Sequence, residues 1–189
     1  YRGAKPVMWS PVEKTALAEA EIEYEDHTST TIYARFPVRQ PSHPALADAS
    51  IVIWTTTPWT MPGNRALACG NGIDYTVVRI DEIDDGSHAI VGDVIVLAEA
   101  LLEEVCAAIG VAKYTALNRL SGADCVGTVA AHPLAEHGYD HDVPLFHADY
   151  VTTEQGTGCV HIAPGHGVED YELAHLAHGV PVPDTVAED

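Results

Sequence analysis

The chain alternates short apolar runs with polar loops, and few of its apolar runs have a helical period. Short runs rich in Val, Ile, Thr and Tyr and bounded by Gly, Pro or charged residues are typical of β-strands. Six such strands are predicted, at residues 30–38, 50–54, 74–80, 88–96, 125–130 and 145–153. Pro37 is expected to end the first of them.

A helical period is found in three places. Residues 97–109 put their leucines on one face and end before Gly110, and shorter helices are predicted at 13–20 and at 168–178. Strands outnumber helices and do not alternate with them regularly. The pattern therefore predicts an α+β fold, with a β-rich, barrel-like sheet and a few peripheral helices.

The length of 189 residues suits one domain with its own core, which we expect to span residues 1–189. Residues 1–24 and 180–189 are predicted to be linker or stub regions. The chain has neither an initiator Met nor a signal-peptide pattern, so we expect a piece of a longer protein. No apolar run approaches the roughly 18 residues of a membrane helix, and no membrane partner is expected.

The charge is strongly acidic, with 28 Asp and Glu against nine Lys and Arg, a net charge of −19. Such a surface repels a phosphate backbone, which argues against an autonomous nucleic-acid binder. The four cysteines, at 69, 106, 125 and 159, have no zinc-site spacing. They are interpreted as buried free thiols of a cytoplasmic protein.

The first chemically distinctive segment is IVIWTTTPWTMPGNRAL, residues 51–67. Thr55, Thr56 and Thr57 end an apolar strand, and Thr60 follows within the next turn. Hydroxyl groups donate and accept hydrogen bonds, so they can hold a ribose, a carbonyl oxygen or a water without adding charge. Threonine is also a common strand residue, and Asn64 a common turn residue, so a structural role stays open for both.

The second segment is GTGCVHIAPGHGVEDY, residues 156–171. Its glycine turn is predicted to lead into a short strand, residues 159–163, that carries His161. Asp170 falls in the first turn of the next helix, where the helix dipole favours an ionised carboxylate that could bind an ammonium group. A structural histidine and a helix-stabilising aspartate remain alternatives.

A metal site is a rival interpretation of the same segment, with His161, His166 and Asp170 as ligands. Their spacing matches no standard metallohydrolase motif. The glycine turn also lacks the Lys-Ser or Lys-Thr pair of a phosphate-binding loop.

The chain resembles the editing domain of isoleucyl-tRNA synthetase. The resemblance rests on WSPVEKTALAEAEIEY at 9–24, WTTTPWTMPGNRA at 54–66 and GTGCVHIAPGHGVEDY at 156–171. The related valyl and leucyl domains carry Arg after the paired threonines, where this chain has Thr57. The resemblance implies an insertion in a class I synthetase, without a cofactor of its own, whose ATP and Mg belong to the absent catalytic core.

The resemblance also implies an activity, which is hydrolysis of mischarged valyl-tRNA(Ile), with valyl-adenylate as a second candidate substrate. Partners would be the tRNA(Ile) acceptor end and the rest of the synthetase. Residue by residue, it assigns roles to Asp170 (ammonium anchor), His161 (side-chain pocket), Thr55, Thr56 and Thr57 (terminal adenosine and ester), Thr60 and Asn64 (substrate or water) and Trp59 (pocket wall). A metal-dependent hydrolase and a non-catalytic tRNA-contacting insertion remain the alternatives.

Overall fold

The computed structural model describes residues 5–185. Residues 1–4 and 186–189, the outer parts of the two predicted stub regions, lie outside the described residues. The strands are β1 (Trp9–Ser10), β2 (Thr15–Ala16), β3 (Ile32–Gln40), β4 (Ala49–Thr55), β5 (Ala66–Cys69), β6 (Asp74–Ile83), β7 (Val94–Ala98), β8 (Val111–Ser121), β9 (Val129–Ala131), β10 (Asp142–His147) and β11 (Cys159–Ile162).

Helices are few and short. They are α1 (Leu102–Ala108), α2 (Gly122–Cys125) and α3 (Val168–Asp170), with a π-helix at Tyr171–Ala177 and 3-10 turns at Glu19–Glu21, Pro44–Leu46, Pro58–Gly63, Glu99–Leu101 and Ala135–His137. None of the helices in residues 5–185 has the length and apolar character that crossing a membrane requires. The α+β class predicted from the sequence is confirmed by this mixture.

One nine-stranded sheet organises the chain, in the order β11-β5-β10-β9-β3-β4-β7-β6-β8. Most neighbours are antiparallel, while β4 pairs with β7, and β5 with β10, in parallel. β1 and β2 form a separate hairpin. The sheet curls so far that β11, at one end of this order, lies against β4. No ladder joins β11 to β4 in the described residues, so the predicted barrel-like curvature is present but the barrel is not closed.

The seam between β4 and β11 arises because β4 loses one of its neighbours. β4 pairs with β3 up to Thr55, but its ladder with β7 covers only Ala49–Ile51. Beyond that point β7 diverges, and the backbone N–H of Ala98 donates to the carbonyl of Thr157, at 2.9 Å. The free edge of β4 therefore faces the glycine turn and the start of β11.

The core is largely one apolar cluster, with a smaller cluster behind β11. In the main cluster Tyr75 is fully buried, and its hydroxyl donates to the carbonyl of Gly158 at 2.5 Å and accepts from the N–H of Gly70 at 3.2 Å. Burial raises the pKa of Tyr75, so the phenol stays a neutral donor. This buried bond ties the glycine turn to the sheet.

Several elements differ from the sequence prediction. The helix predicted at 13–20 is wrong, because the hairpin β1–β2 takes most of these residues and a 3-10 turn begins at Glu19. Pro37 does not end β3, since it lies inside the strand opposite Ser50. The strand predicted at 88–96 begins only at Val94, after a turn in which the N–H of Asp93 donates to the carbonyl of Ile90.

Other boundaries also shifted. The strand predicted at 125–130 begins only at Val129, as β9, because Cys125 is the last residue of α2. The strand predicted at 145–153 is β10, which lies earlier, at Asp142–His147. The helix predicted at 97–109 is confirmed only from Glu99, because residues 97 and 98 still belong to β7. The short β5 and the largely exposed β8 were not predicted, since neither shows a clear alternation.

Replacing Gly158 should test how tightly the glycine turn is packed. Gly158 has a φ of +83°, and an added Cβ would lie 2.3 Å from the Cβ of Ala98. We expect Gly158→Ala to lower the free energy of unfolding by about 2–5 kcal/mol, from backbone strain and overpacking together. Urea denaturation measures this. Gly72→Ala is the control, because a Cβ added at Gly72 has no atom within 4 Å. Equal urea midpoints for the two variants would contradict the packing described.

Candidate functional site

The threonines after the β4 strand form a hydrogen-bonded corner. Thr55 is buried, and its Oγ1 accepts from the N–H of Thr57 at 3.1 Å and lies 3.3 Å from the Oγ1 of Thr57. Thr56 is exposed, while Thr57 is half-buried. Pro58 then starts the 3-10 turn Pro58–Gly63, because proline has the backbone angle that a helical first turn needs. The threonine corner thus has one buried, one exposed and one half-buried side chain.

Thr60 links this corner to β11. Its N–H and its Oγ1 both donate to the carbonyl of Thr57, at 3.0 and 2.8 Å. The same Oγ1 lies 3.3 Å from the Nε2 of His161. The hydroxyl of Thr60 donates its hydrogen to the carbonyl of Thr57. Its oxygen can therefore accept a hydrogen bond from an N–H at the Nε2 of His161. The two segments singled out in the sequence therefore touch here.

His161 is kept uncharged by its surroundings. It lies on β11 with Leu67 as its partner on β5. Burial, helped by the proximity of His166 and His132, lowers the pKa of His161 to about 4. Its Nδ1 is buried and has no hydrogen-bond partner in the described residues. A neutral ring with an unused nitrogen can line an apolar pocket or meet one polar group of a ligand.

Asn64 has a similar unused atom. Its side chain is fully buried, and its Nδ2 donates to the carbonyl of Ala66 at 2.8 Å. Its Oδ1 has no partner within residues 5–185. Leaving a buried acceptor unpaired costs about 1–3 kcal/mol, so such an atom is a good position for a bound water or a ligand donor.

Asp170 is a partly buried carboxylate without a counter-charge. Its Oδ2 accepts from the N–H of Ala163 at 2.8 Å, and no ion pair involves it in the described residues. Burial raises the pKa of Asp170, and Glu169 adds to this, whereas the Ala163 N–H and His166 act in the opposite direction. A carboxylate in this position gains most from an incoming cation.

A cavity of about 300 Å³ opens at the seam between β4 and β11. Thr55, Thr56, Tyr150, Gly156 and Thr157 are among its lining residues. Burial raises the pKa of Tyr150, and the nearby charge of Asp170 raises it further. Thr55 and Thr56 of the threonine corner thus share one cavity with the glycine turn, whereas Thr57, Thr60, Asn64, His161 and Asp170 are not among its lining residues.

A larger cavity, of about 620 Å³, lies elsewhere, between β3 and the loop 84–89. None of the site residues predicted from the sequence lines it. Size alone does not identify a site. The smaller cavity at the seam is favoured because it contains Thr55 and Thr56 of the predicted site together with Tyr150, whose pKa burial raises.

Two predicted residues take positions that the sequence did not indicate. Trp59 is 61% exposed and lines neither of these two cavities. His166 packs on the 3-10 turn, because a Cβ added to Gly63 would lie 2.9 Å from its ring atoms. Within the described range no three His, Cys, Asp or Glu side chains are grouped as metal ligands would be.

Sequence reasoning missed the contribution of Tyr150 and Thr157. Tyr150 precedes the glycine turn in an irregular loop, and no local pattern marks it. Thr157 lies inside the GTG motif but is almost fully buried, and its Oγ1 donates to the carbonyl of Cys159 at 3.0 Å. Its hydroxyl therefore shapes the turn, and only the tertiary contacts reveal that.

The chain is similar to known aminoacyl-tRNA synthetases and their editing domains. The family model "Leucyl-tRNA synthetase, editing domain" matches residues 99–189. An isoleucine–tRNA ligase from Gluconobacter oxydans is 50% identical over 192 residues, covering 100% of this chain and 20% of the relative. The ligase from Pelagibacter ubique is 47% identical over 189 residues, with the same coverages. The chain is an editing domain of a class I aminoacyl-tRNA synthetase.

Solved structures support the fold of this editing domain. The crystal structure titled GlLeuRS-CP1 matches with a TM-score of 0.60 and 16% identity, covering 76% of this chain and 58% of that one. The P. knowlesi cytosolic leucyl-tRNA synthetase editing domain matches with a TM-score of 0.56 and 13% identity, covering 76% and 61%. The resemblance to the isoleucyl branch is confirmed by the curated relatives, of whose length the chain spans about a fifth.

The neutral state of His161 should make the stability of the editing domain depend on pH. The pKa is about 4 in the folded chain against 6.5 for a free histidine, so below pH 6.5 the unfolded chain binds the proton more readily. Stability is then lost as the pH falls from about 6.5 towards 4, and at pH 5 the loss from this group is about 2 kcal/mol relative to pH 7. Urea denaturation at the two pH values measures it.

His161→Asn is the matched control for this measurement, because it removes the titrating ring and leaves the lowered pKa values of His132 and His141 in place. The raised pKa of Asp170 stabilises the folded chain as the pH falls, which opposes the effect of His161. His161→Asn leaves this contribution in place. An equal pH dependence in wild type and His161→Asn would show that His161 is not buried as described.

Proposed function

We propose that this editing domain hydrolyses the ester bond of valyl-tRNA(Ile). The observation that carries the proposal is the seam cavity, which is lined by Thr55, Thr56 and the glycine turn and by Tyr150, a ring close enough to Asp170 for that charge to shift its pKa. An aminoacyl ester presents an ammonium group, a carbonyl and ribose hydroxyls, and the cavity offers groups suited to each. The isoleucine–tRNA ligases among the relatives support tRNA(Ile) as the nucleic-acid partner.

Asp170 would bind the ammonium group of the misattached amino acid. Its carboxylate is fixed by the N–H of Ala163 at 2.8 Å, which leaves its other oxygen available. An arriving ammonium supplies the missing counter-charge and lowers the pKa that burial has raised. The bound ester would then be held at one defined point, with its carbonyl directed towards the corner of threonines.

His161 would act as the size filter. Isoleucine and valine differ by one methylene, which a pocket can distinguish by only about 1–3 kcal/mol, a limit for which the isoleucyl enzyme is itself an established example. A second site that admits only the smaller side chain overcomes this limit. The neutral ring of His161 is fixed against Thr60 at 3.3 Å, so it can exclude a side chain sterically without adding charge.

Hydrolysis would proceed by attack of water on the ester carbonyl. Water adds to the carbonyl carbon, the bond to the ribose oxygen breaks, and valine and tRNA with a free hydroxyl are released. The threonine hydroxyls and backbone N–H groups can hold the carbonyl oxygen and the water, which is enough for an activated ester. A histidine with a pKa of about 4 is a weak base, and we assign the general base to no protein group. The neighbouring ribose hydroxyl of the substrate would assist by a hydrogen bond to the attacking water.

A covalent mechanism through a cysteine is not supported. Cys159, at the start of β11, is nearly inaccessible, and burial raises its pKa well above its usual value. A thiol in that state provides almost no thiolate, which is the reactive form.

The acidic surface bears on how tRNA would reach this domain. With a net charge of −19, the domain cannot attract tRNA strongly by itself, so the rest of the synthetase would deliver the acceptor end. We place the parent enzyme in the cytoplasm, with ATP and Mg bound in its catalytic core. Valyl-adenylate carries the same ammonium and side chain, and is a second candidate substrate.

Removing the anchor should abolish deacylation. Asp170→Ala, made in the full-length enzyme, is expected to lower kcat/KM for valyl-tRNA(Ile) at least 100-fold, because it removes the carboxylate proposed to bind the ammonium group. Deacylation of purified valyl-tRNA(Ile) measures this. Glu169→Ala removes an exposed acid next to it and is the control. Full activity in Asp170→Ala would favour a non-catalytic, tRNA-contacting insertion.

Enlarging the filter should change selectivity. His161→Ala is expected to let the domain cleave correctly charged isoleucyl-tRNA(Ile) while valyl-tRNA(Ile) is still cleaved. Parallel assays with both esters measure the ratio. Loss of both reactions would mean that His161 takes part in the chemistry and not in selection.

A chelator distinguishes metal-free deacylation from the metal-dependent alternative. Deacylation by water alone should be unchanged by EDTA when the assay contains no ATP-dependent step. Inhibition that is reversed by added zinc would instead support the metal-dependent hydrolase with His161, His166 and Asp170 as ligands.

A further inference from the structure

The 3-10 turn Pro58–Gly63 carries Thr60 and leads into Asn64, yet it has little stability of its own. It is six residues long, whereas 3-10 runs of more than three or four residues are uncommon. Pro58 and Pro62 have no N–H to donate, and Gly63 adds backbone freedom. Groups outside the turn must therefore fix its shape.

Two side chains from the loop between β9 and β10 hold carbonyls of this segment. The Nε2 of His132 donates to the carbonyl of Met61 at 2.8 Å, while its Nδ1 accepts from the N–H of Leu134 at 3.0 Å. The Nε2 of His141 donates to the carbonyl of Asn64 at 3.0 Å. The rings of His132 and His141 pack with centroids 5.1 Å apart, so the two contacts form one unit.

Arg65 completes this unit. Its Nη1 donates to the carbonyl of Asn64 at 2.5 Å and to that of Pro62 at 3.2 Å. Its own N–H donates to the carbonyl of Ile162, the residue after His161, at 2.9 Å. Arg35, Arg39, Arg79 and Arg119 each pair with a carboxylate, whereas Arg65 makes no ion pair in the described residues. Its guanidinium donates to these backbone carbonyls, and Nη1 also lies 3.4 Å from the Nε2 of His141.

The opposite side of the turn is covered by the loop after β11. The ring of His166 lies so close to Gly63 that a Cβ there would be 2.9 Å from it. The turn is thus enclosed between the β9–β10 loop and the β11–α3 loop. A shift of the enclosed turn would move Thr60 relative to His161, whose contact is 3.3 Å long.

We propose that His132, His141 and Arg65 are positioning residues that fix the carbonyls of Met61, Pro62 and Asn64 and so set the distance between Thr60 and His161. The inference rests on the proposed deacylase function for its kinetic consequence only. Its structural consequence, the environment of the His161 ring, can be observed without any activity.

Arg65→Met is the central test, because it keeps the length of the side chain and removes its donors. Arg65→Lys restores a donor group. Arg119→Met is the matched control, because Arg119 pairs with Glu99 at 2.6 Å, away from the turn and from the β9–β10 loop. His141→Leu and His141→Gln form a second pair, in which Gln keeps a donor. All are made in the full-length enzyme for kinetics and in this chain for spectroscopy.

Kinetics should show a loss in kcat and not in binding. We expect Arg65→Met and His141→Leu to lower kcat for valyl-tRNA(Ile) about tenfold or more, since a small displacement of positioned groups is costly. KM and Tm should stay near those of Arg119→Met, and the preference for the valyl over the isoleucyl ester should fall. Arg65→Lys and His141→Gln should recover part of the rate. A raised KM with unchanged kcat would mean that Arg65 contacts tRNA directly, and would overturn the proposal.

The ¹⁵N signals of the His161 ring, assigned with His161→Asn, provide the second readout. They should shift in Arg65→Met and His141→Leu and stay unchanged in Arg119→Met. Such shifts together with no deacylation by wild type would keep the positioning role and refute the deacylase function. Unshifted signals, or kinetics in Arg65→Met equal to those in Arg119→Met, would refute the positioning role.

Discussion

The site depends on the point at which β4 loses β7 as a neighbour. Up to Ile51 the strand is paired on both sides, and beyond it only β3 remains paired, as far as Thr55. A curled sheet that closed completely would satisfy every backbone group at this point and leave no space. Because β11 approaches β4 without forming a ladder, a cavity of about 300 Å³ remains, with strand ends and a glycine turn around it.

The electrostatics of the site follow from burial more than from charge pairing. Burial lowers the pKa of His161 and raises that of Asp170, so both groups are shifted towards their uncharged forms. Arg65, whose N–H bonds to the residue after His161, donates its guanidinium to carbonyl groups of the turn before it. The carboxylate of Asp170 is therefore the position where a cationic ligand gains most, in a domain with a net charge of −19.

The fold could be predicted from the sequence only in class and in part of its elements. Strands with many β-branched residues, such as β4 and β6, were found because burial on both faces requires an apolar run. β8 was missed because it is an edge strand with mostly exposed residues, and such a strand needs no apolar alternation. The hairpin β1–β2 was taken for a helix because its Glu, Lys, Leu and Ala residues favour helices, while pairing decided its structure.

For the site, the sequence by itself determined which chemical groups are present and that two motifs far apart carry them. Thr55, Thr57 and Asp170 could be named because hydroxyls after a strand and an acid at a helix start have local signatures. Only the tertiary structure decided that Thr60 meets His161, that Tyr150 lies beside Asp170 and that Trp59 points outwards. These relations depend on contacts between strands and loops distant in the chain, and no local pattern of residues records such distances.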